Sequence, residues 1–265
     1  MMRYLDYKKT KARVNTSWGR VAQWYDTAMQ REDSYHKTVI LPNLNRLLSI
    51  KKGEHLLDLG CGNGFFSEHF ARAGAQVVGV DLSKEFIVAA QQRASAQKLP
   101  IRYHTGSADR LGMIATNSID TILIVLAIQN MENYEGVFAE SARVLKKSGR
   151  LAIVMNHPIF RIPKKTSWGW DMNAQVQYRR IDSYLSKEKI AIQMHPGARR
   201  QEITTSFHRP LQSYAAALRN VGFCISNLEE WISQKQSTSG PRAPLENHAR
   251  KEFPLFLFIE ACKNG

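Results

Sequence analysis

Short apolar runs alternate along the chain with segments whose apolar residues follow helical spacing. Five runs have the length of buried strands: Leu56–Leu59, Val77–Val80, Ile101–His104, Ile122–Ile128 and Leu151–Met155. Strands that alternate with helices predict a parallel sheet covered by helices on both faces, which is an α/β fold. Two later runs, Phe223–Trp231 and Phe256–Cys262, predict two further strands after a helix that starts at Pro210.

A glycine-rich turn follows the first predicted strand. Its sequence is Asp58-Leu59-Gly60-Cys61-Gly62-Asn63-Gly64, and a helical pattern begins directly after it. Glycine allows the backbone to turn tightly or to lie against a ligand, and nucleotides bind at such strand–turn–helix junctions. The second strand ends at Asp81, at about the spacing expected of a ribose-binding acid. The G-x-G-x-G spacing differs from the G-x-G-x-x-G of nicotinamide-dependent dehydrogenases, which speaks against that class.

Together these residues resemble the first motif and the ribose-binding acid of class I S-adenosylmethionine (SAM)-dependent methyltransferases. The resemblance extends from about Trp18 to the C-terminus and is most specific between Leu56 and Val154; Arg143-Val144-Leu145-Lys146 with Gly149 adds to it. It implies a Rossmann-like doubly wound sheet, mostly parallel, whose last strand is antiparallel. It also implies SAM as the cofactor and S-adenosylhomocysteine as the product.

The resemblance implies cofactor contacts at the carboxyl ends of the strands. The implied contact residues are Tyr25, Asp58, Gly60, Cys61, Gly62, Asp81, Leu82, Ser107, Ala108, Asp109, Val125 and Leu126, with Gln129 and Asn130 just beyond them. Asp58 either anchors the methionine amino group or braces the turn. The adenine contact is also open, because Ser107 stands where the family usually has an acid and Asp109 follows two residues later.

The N-terminal 50 residues are predicted to be an arm and a helical lid, and residues 51–265 the methyltransferase domain. Residues 1–17 are polar and basic, and apolar residues between 18 and 50 include helical spacings. The resemblance implies that such a helix covers the cofactor, which makes Trp18, Tyr25 and Tyr35 candidates for that contact. The alternative role for each of these aromatic residues is helix packing.

The chain between the fifth strand and Pro210 is too long for an ordinary connection, and we interpret residues 157–209 as an inserted cap. Long loops over a fixed sheet commonly carry specificity. The substrate-binding candidates in the cap are Trp168, Trp170, Tyr178, Arg179, His208 and Arg209. The tryptophans either wall an apolar pocket or pack the cap. The arginines either meet an acidic substrate group or form salt bridges within the cap.

His157 is the candidate catalytic base, because it follows the fifth strand on the expected substrate side and histidine titrates near neutral pH. The alternative is a packing role at the hinge of the cap. A base helps only if the acceptor atom must lose a proton. SAM already carries an activated methyl group, so no covalent enzyme intermediate and no metal ion are expected.

Composition narrows the choice of partner. The formal net charge of the 265 residues is +14, which suits nucleic acid, an anionic surface or an acidic substrate. No RNA-binding module is recognisable, so a small-molecule acceptor, methylated on oxygen or nitrogen, is favoured over nucleic acid or protein. The third alternative is a catalytically inactive SAM-binding protein. Three scattered cysteines, no leader-like N-terminus and no membrane-length apolar run favour the cytoplasm; oligomeric state is open.

Overall fold

The computed structural model describes residues 31–194 and 202–263. The first helical element is a π-helical turn, His36–Ile40, which continues into α1 (Leu41–Leu48). The others are α2 (Phe65–Arg72), α3 (Lys84–Ala96), a 3-10 turn Ile128–Asn130, α4 (Tyr134–Val144), α5 (Leu211–Asn220) and α6 (Ala243–Glu252). Within these ranges, no helix is long and apolar enough to cross a membrane.

Seven strands form the central sheet. They are β1 (His55–Leu59), β2 (Gln76–Asp81), β3 (Arg102–Thr105), β4 (Ile119–Val125), β5 (Leu145–Asn156), β10 (Phe223–Trp231) and β11 (Phe256–Lys263). Their order is β10-β11-β5-β4-β1-β2-β3. The pairs among β1 to β5 are parallel, and β11 is antiparallel to both β5 and β10. The predicted α/β class and the antiparallel hairpin at the edge are therefore confirmed.

Alternate residues of the strands enter two separate cores. Leu57 and Leu59 of β1 pack with α4 and α5 on one face of the sheet, whereas Leu56 packs with α1 and α2 on the other. All three leucines are fully buried. Strands buried on both faces have continuous apolar sequences, which is why the runs were recognisable.

Two β-hairpins lie between β5 and α5. Strands β6 (Thr166–Asp171) and β7 (Val176–Ile181) form the first, and β8 (Glu188–Met194) and β9 (Glu202–His208) form the second. The second hairpin packs over the 3-10 turn that follows β4, where the Ser206 hydroxyl donates to the Gln129 carbonyl at 3.4 Å. This hairpin therefore reaches the carboxyl edge of the sheet.

Three local expectations differ from the structure. The fourth strand was predicted over Ile122–Ile128 but ends at Val125, because Leu126 has a left-handed backbone (φ 53°) and the 3-10 turn begins at Ile128. The Lys-Lys-Ser-Gly-Arg sequence of residues 146–150 is typical of a turn, yet it is part of the long strand β5. The polar sequence around Gly240 and Pro241 is typical of a flexible turn, yet α6 follows directly, with Pro244 in its first turn.

Candidate active site

The glycine turn after β1 is fixed against its neighbours on one side and faces open space on the other. Gly60 has φ 72°, and a Cβ placed on it would lie 2.5 Å from the Ala127 Cβ. Its amide donates to the Val80 carbonyl at 2.8 Å, which ties the turn to β2. A Cβ on Gly62 (φ 53°) would meet no atom within 4 Å. The backbone at Gly62 can therefore approach a ligand closely.

Asp81, at the end of β2, is held by backbone donors. One carboxylate oxygen accepts the Gly62 amide at 2.9 Å and the other accepts the Ser83 amide at 2.8 Å. Burial raises the pKa of Asp81, while these amide hydrogen bonds favour the charged form. A carboxylate oxygen accepts more than one hydrogen bond, so each oxygen keeps a lone pair for a hydroxyl donor.

Asp58 lies inside the sheet rather than on the open side of the turn. Its residue is 2% exposed, and its carboxylate accepts the Ser67 hydroxyl of α2 at 2.6 Å. Burial raises the pKa of Asp58 to about 7, with the nearby Asp81 charge adding to the shift. Asp58 thus links β1 to α2, and the predicted contact with the cofactor's amino group remains a prediction.

Leu126 lies directly after β4, beside a cavity under the cap. Its left-handed backbone directs the chain out of β4, and its carbonyl accepts the Gln129 amide group at 2.8 Å and that of Asn130 at 3.3 Å. Val125, just before it, is 9% exposed. Leu126 lines the cavity, whereas Val125 does not.

The cavity has a volume of about 250 Å³ and lies between the ends of β4 and β5 and the second hairpin. His208 and Arg209 of the cap are on its wall, as predicted for substrate-binding residues, and are 6% and 5% exposed. The His208 Nε2 is 2.7 Å from the Tyr184 carbonyl, an acceptor only, so Nε2 carries the proton. Arg161 and Tyr214 also line the cavity.

Comparisons with known proteins agree with this arrangement. Residues 57–153 match the methyltransferase domain family. The chain is 31% identical over 156 residues to the demethylmenaquinone methyltransferase of Tropheryma whipplei, covering 57% of this chain and 62% of the relative. It is 37% identical over 102 residues to the ubiquinone biosynthesis O-methyltransferase of Pelagibacter ubique, covering 38% and 42%. The chain thus spans less than two thirds of the length of these curated relatives.

Among solved structures, a SAM-dependent methyltransferase from Mesorhizobium loti aligns with a TM-score of 0.65 and 25% identity, over 83% of this chain and 95% of that one. Residues 57–153 form a SAM-dependent methyltransferase domain. SAM is therefore the cofactor of this domain.

The residues present fit SAM. The open side of the glycine turn at Gly62 admits a ligand against the backbone, and Asp81 offers two oriented oxygens for a pair of ribose hydroxyls. Leu82, next to Asp81, is 40% exposed and stands free to cover a bound base. Cys61 is buried, with its sulfur close to Gly79 of β2, so only its backbone faces the turn.

The loop after β3 joins two of the three adenine candidates, Ser107 and Asp109, in one hydrogen-bond network. The Ser107 hydroxyl donates to one oxygen of Asp109, and the Asn133 amide group donates to the other at 2.8 Å. Ala108 is 8% exposed. Asp109 therefore has its side chain already held from two sides, and which of these residues contacts adenine stays a prediction.

Four predicted substrate residues lie outside the cavity, on the first hairpin. The Arg179 guanidinium stacks 5.0 Å from the Trp168 ring and donates to the Phe160 carbonyl at 2.9 Å, while Trp168 meets the Phe253 ring edge-on at 5.4 Å. Trp170 is capped by the Arg242 guanidinium at 4.9 Å. Tyr178, on the same hairpin, is 44% exposed. The structure brings none of these four residues to the cavity wall.

His157 also lies away from the cavity. It is 2% exposed, its Nε2 is 2.7 Å from a Glu230 carboxylate oxygen, and its Nδ1 accepts the Ile159 amide at 3.3 Å. Burial lowers the pKa of His157 despite the opposing effect of Glu230. With both ring nitrogens engaged, His157 joins the end of β5 to β10, and the geometry gives it the hinge role rather than that of a base.

Tyr25 and Trp18 lie outside the described residues. Tyr35 is described, and its hydroxyl lies 3.2 Å from the Ser233 hydroxyl while its ring packs edge-on against Phe256. Arg161 and Tyr214 were missed as cavity residues. Nothing in the sequence distinguished Arg161 from the other cap arginines, and Tyr214 sits in a helix whose periodicity indicated only core packing.

Proposed function

We propose that the protein transfers the methyl group of SAM to a small molecule that binds in the cavity beside Leu126. The observation that carries the proposal is a cavity of about 250 Å³ whose wall includes Leu126, the residue before the Ala127 that packs against Gly60 of the glycine turn. A cavity of about 150 Å³ accepts benzene, so this one accommodates a small organic acceptor. An inactive SAM-binding protein has no need of such a space.

The named functions of the matching relatives, in menaquinone and ubiquinone synthesis, also concern small molecules and support this substrate class. The choice between oxygen and nitrogen as acceptor atom stays open. The alternative acceptors, RNA or protein, are supported by the net charge of +14 alone. We place the protein in the cytoplasm.

SAM supplies, when bound, an electrophilic methyl group on a sulfonium sulfur. The protein's own residues would bind and orient both reactants. Asp81 and the glycine turn would fix the position of SAM, and the cavity wall would align the acceptor. The acceptor atom would take this methyl group, and the sulfonium would leave as the neutral thioether of S-adenosylhomocysteine. Orientation of this kind contributes about 7–11 kcal/mol in favourable cases.

An acceptor hydroxyl must also release its proton. We propose His208 rather than His157 for this step, because His208 is on the cavity wall and its Nε2 proton is held by the Tyr184 carbonyl. The tautomer leaves the lone pair on Nδ1. A nitrogen acceptor that is already uncharged would not require a base until after transfer.

The test is S-adenosylhomocysteine formation from SAM with three fractions of a cell extract as acceptors: molecules below 1 kDa, RNA, and protein. The proposal predicts turnover with the small-molecule fraction. Turnover confined to the RNA or protein fraction would replace the small-molecule proposal with the corresponding alternative. Asp81→Ala serves as the control for enzyme-dependent turnover.

A further inference from the structure

The cavity under the cap is lined by cationic and amide side chains and by no carboxylate. Arg161, Arg209, Gln129 and Asn130 are among its wall residues, and no aspartate or glutamate of the described chain is. A space with a positive lining and a low-dielectric surround favours anions.

Arg209 has a buried donor that meets no acceptor at hydrogen-bond distance and geometry within the described residues, although its guanidinium is near enough to the Tyr214 hydroxyl to lower the pKa of that group against the effect of burial. It is 5% exposed, and its Nη2 donates to the Met131 and Glu132 carbonyls, both at 2.8 Å. Its guanidinium also stacks 4.2 Å from the Tyr134 ring. Its Nη1 is buried without a hydrogen-bond partner. Leaving a buried charged donor unpaired is costly, so Nη1 marks the place of a ligand oxygen.

Arg161 provides a second positive charge at the same cavity. Its guanidinium lies 5.6 Å from the Phe256 ring, and within residues 31–194 and 202–263 no carboxylate pairs with it. Burial lowers the pKa of Arg161, and the nearby Arg179 lowers it further. A bound anion would relieve the cost of holding this charge in a buried setting.

Gln129 has the complementary unsatisfied group. Its Nε2 donates to the Leu126 carbonyl at 2.8 Å, which fixes the orientation of the amide because a carbonyl accepts but does not donate. The Oε1 is then buried without a donor. A ligand that pairs with both unsatisfied atoms carries an anionic oxygen for Arg209 Nη1 and an O–H or N–H group for Gln129 Oε1.

We propose that the methyl acceptor is an anionic small molecule whose carboxylate or phosphate group binds Arg209 and Arg161, and whose hydroxyl or amine donates to Gln129 Oε1. This proposal rests on the proposed function, since it names the substrate class of the same cavity. The group held by Gln129 is next to Leu126, at the part of the cavity closest to Ala127 and the glycine turn, which makes it the candidate nucleophile.

The test is calorimetric binding of benzoate, phenyl phosphate and benzamide to the protein saturated with S-adenosylhomocysteine. Benzamide matches benzoate in shape and lacks the charge. We expect at least one of the two anions to bind about tenfold or more tightly than benzamide, since a hydrogen bond to a charged group is the interaction lost. The preferred anion distinguishes a carboxylate from a phosphate acceptor.

Two variants assign the preference to the cavity. Arg209→Gln is expected to abolish the preference for the anion. Gln129→Glu keeps the side-chain shape and adds a negative charge, so it is expected to reduce the binding affinity for the anion at least as much. Arg180→Gln is the matched control, because Arg180 is 63% exposed and pairs with Asp182. Unchanged affinity for S-adenosylhomocysteine shows that each variant is folded.

The outcomes separate the two proposals. If S-adenosylhomocysteine binds but the anions bind no better than benzamide, or none of the three probes binds, the anionic acceptor is refuted while the methyltransferase proposal stands. If the folded wild type does not bind S-adenosylhomocysteine, the proposed function itself fails. A preference that survives in both Arg209→Gln and Gln129→Glu would also refute the assignment to this cavity.

Discussion

Single charged side chains at the carboxyl edge of the sheet are held by backbone groups rather than by opposite charges. The Asp81 carboxylate accepts the amides of Gly62 and Ser83, and the Arg209 guanidinium donates to the carbonyls of Met131 and Glu132. Backbone partners fix position without neutralising charge. Both side chains therefore remain able to bind a ligand of opposite polarity.

Asp58 provides a prediction on pH dependence. Its folded-state pKa of about 7 is above the unfolded value of about 3.9, so the folded state holds the proton more tightly between these values. The resulting stabilisation is complete below pH 4 and is lost as the pH rises through 7. The change is at most about 1.4 kcal/mol per pH unit in that window.

Asp58→Asn removes this titration and can still accept the Ser67 hydroxyl. We expect the free energy of unfolding of the variant, relative to wild type, to increase from pH 5 to pH 8, measured by urea denaturation. A difference between the two proteins that is the same at both pH values would contradict the raised pKa.

The two histidines give a kinetic prediction. His208→Gln is expected to reduce kcat about 10²-fold or more for a hydroxyl acceptor, with little change in the affinity for S-adenosylhomocysteine. His157→Gln is expected to lower thermal stability, because it loses the Glu230 contact, while kcat of the folded fraction is retained. Steady-state kinetics and thermal unfolding of both variants check this, and the opposite pattern would restore His157 as the base.

At the scale of elements, the site depends on how β1, β2 and β4 meet at the glycine turn. Gly60 packs against Ala127 beyond β4, and its amide binds the end of β2. A Cβ on Gly62 would instead face open space. A side chain at Gly62 would carry only the free-energy cost of a left-handed backbone, whereas one at Gly60 would also carry the cost of a steric clash.

Gly60→Ala is expected to be more destabilising than Gly62→Ala. Both variants place a Cβ on a left-handed residue, at about 1–2 kcal/mol, but only the first also places it 2.5 Å from the Ala127 Cβ. Chemical denaturation of the two variants measures the difference. Equal losses of stability would show that the clash relaxes without cost.

Most elements of the sheet were predictable, because strands buried on both faces have apolar sequences and the helices between them have clear spacing. The C-terminus of β4 was not, since the left-handed conformation of Leu126 is set by the packing around it. Helix α6 is largely polar, so its periodicity gave no signal. Both cap hairpins contain aromatic and basic residues, and only tertiary contacts decide that β8–β9 reaches the cavity.

The site residues divide in the same way. The spacing of Gly60, Gly62 and Asp81 predicted the tight turn, which the structure has, whereas the ribose contact stays a prediction. The position of His157 after β5 says nothing of the direction of its ring, which in the structure is turned toward Glu230, so its role as a base stays a prediction.

At the scale of the whole molecule, the charge of +14 arises from 37 basic and 23 acidic residues. Two of the basic side chains, those of Arg161 and Arg209, line the cavity under the cap. The remaining excess charge is expected to attract polyanions by counter-ion release, without sequence preference.

We therefore predict that a labelled single-stranded RNA binds at 50 mM salt and that binding weakens by a factor of about 10² or more at 200 mM salt. Fluorescence anisotropy with two unrelated RNA sequences measures both properties. Binding that persists at 200 mM salt and differs between the sequences would favour an RNA acceptor over a small molecule.

The central claim is that the glycine turn and Asp81 form a SAM site. Calorimetric titration of S-adenosylhomocysteine into wild type and Asp81→Ala tests it, with Arg180→Gln as the control. We predict micromolar binding by wild type and the control, about −8 kcal/mol, and a loss of at least about tenfold in Asp81→Ala. A wild-type protein that is folded by circular dichroism and binds neither S-adenosylhomocysteine nor SAM would contradict the account.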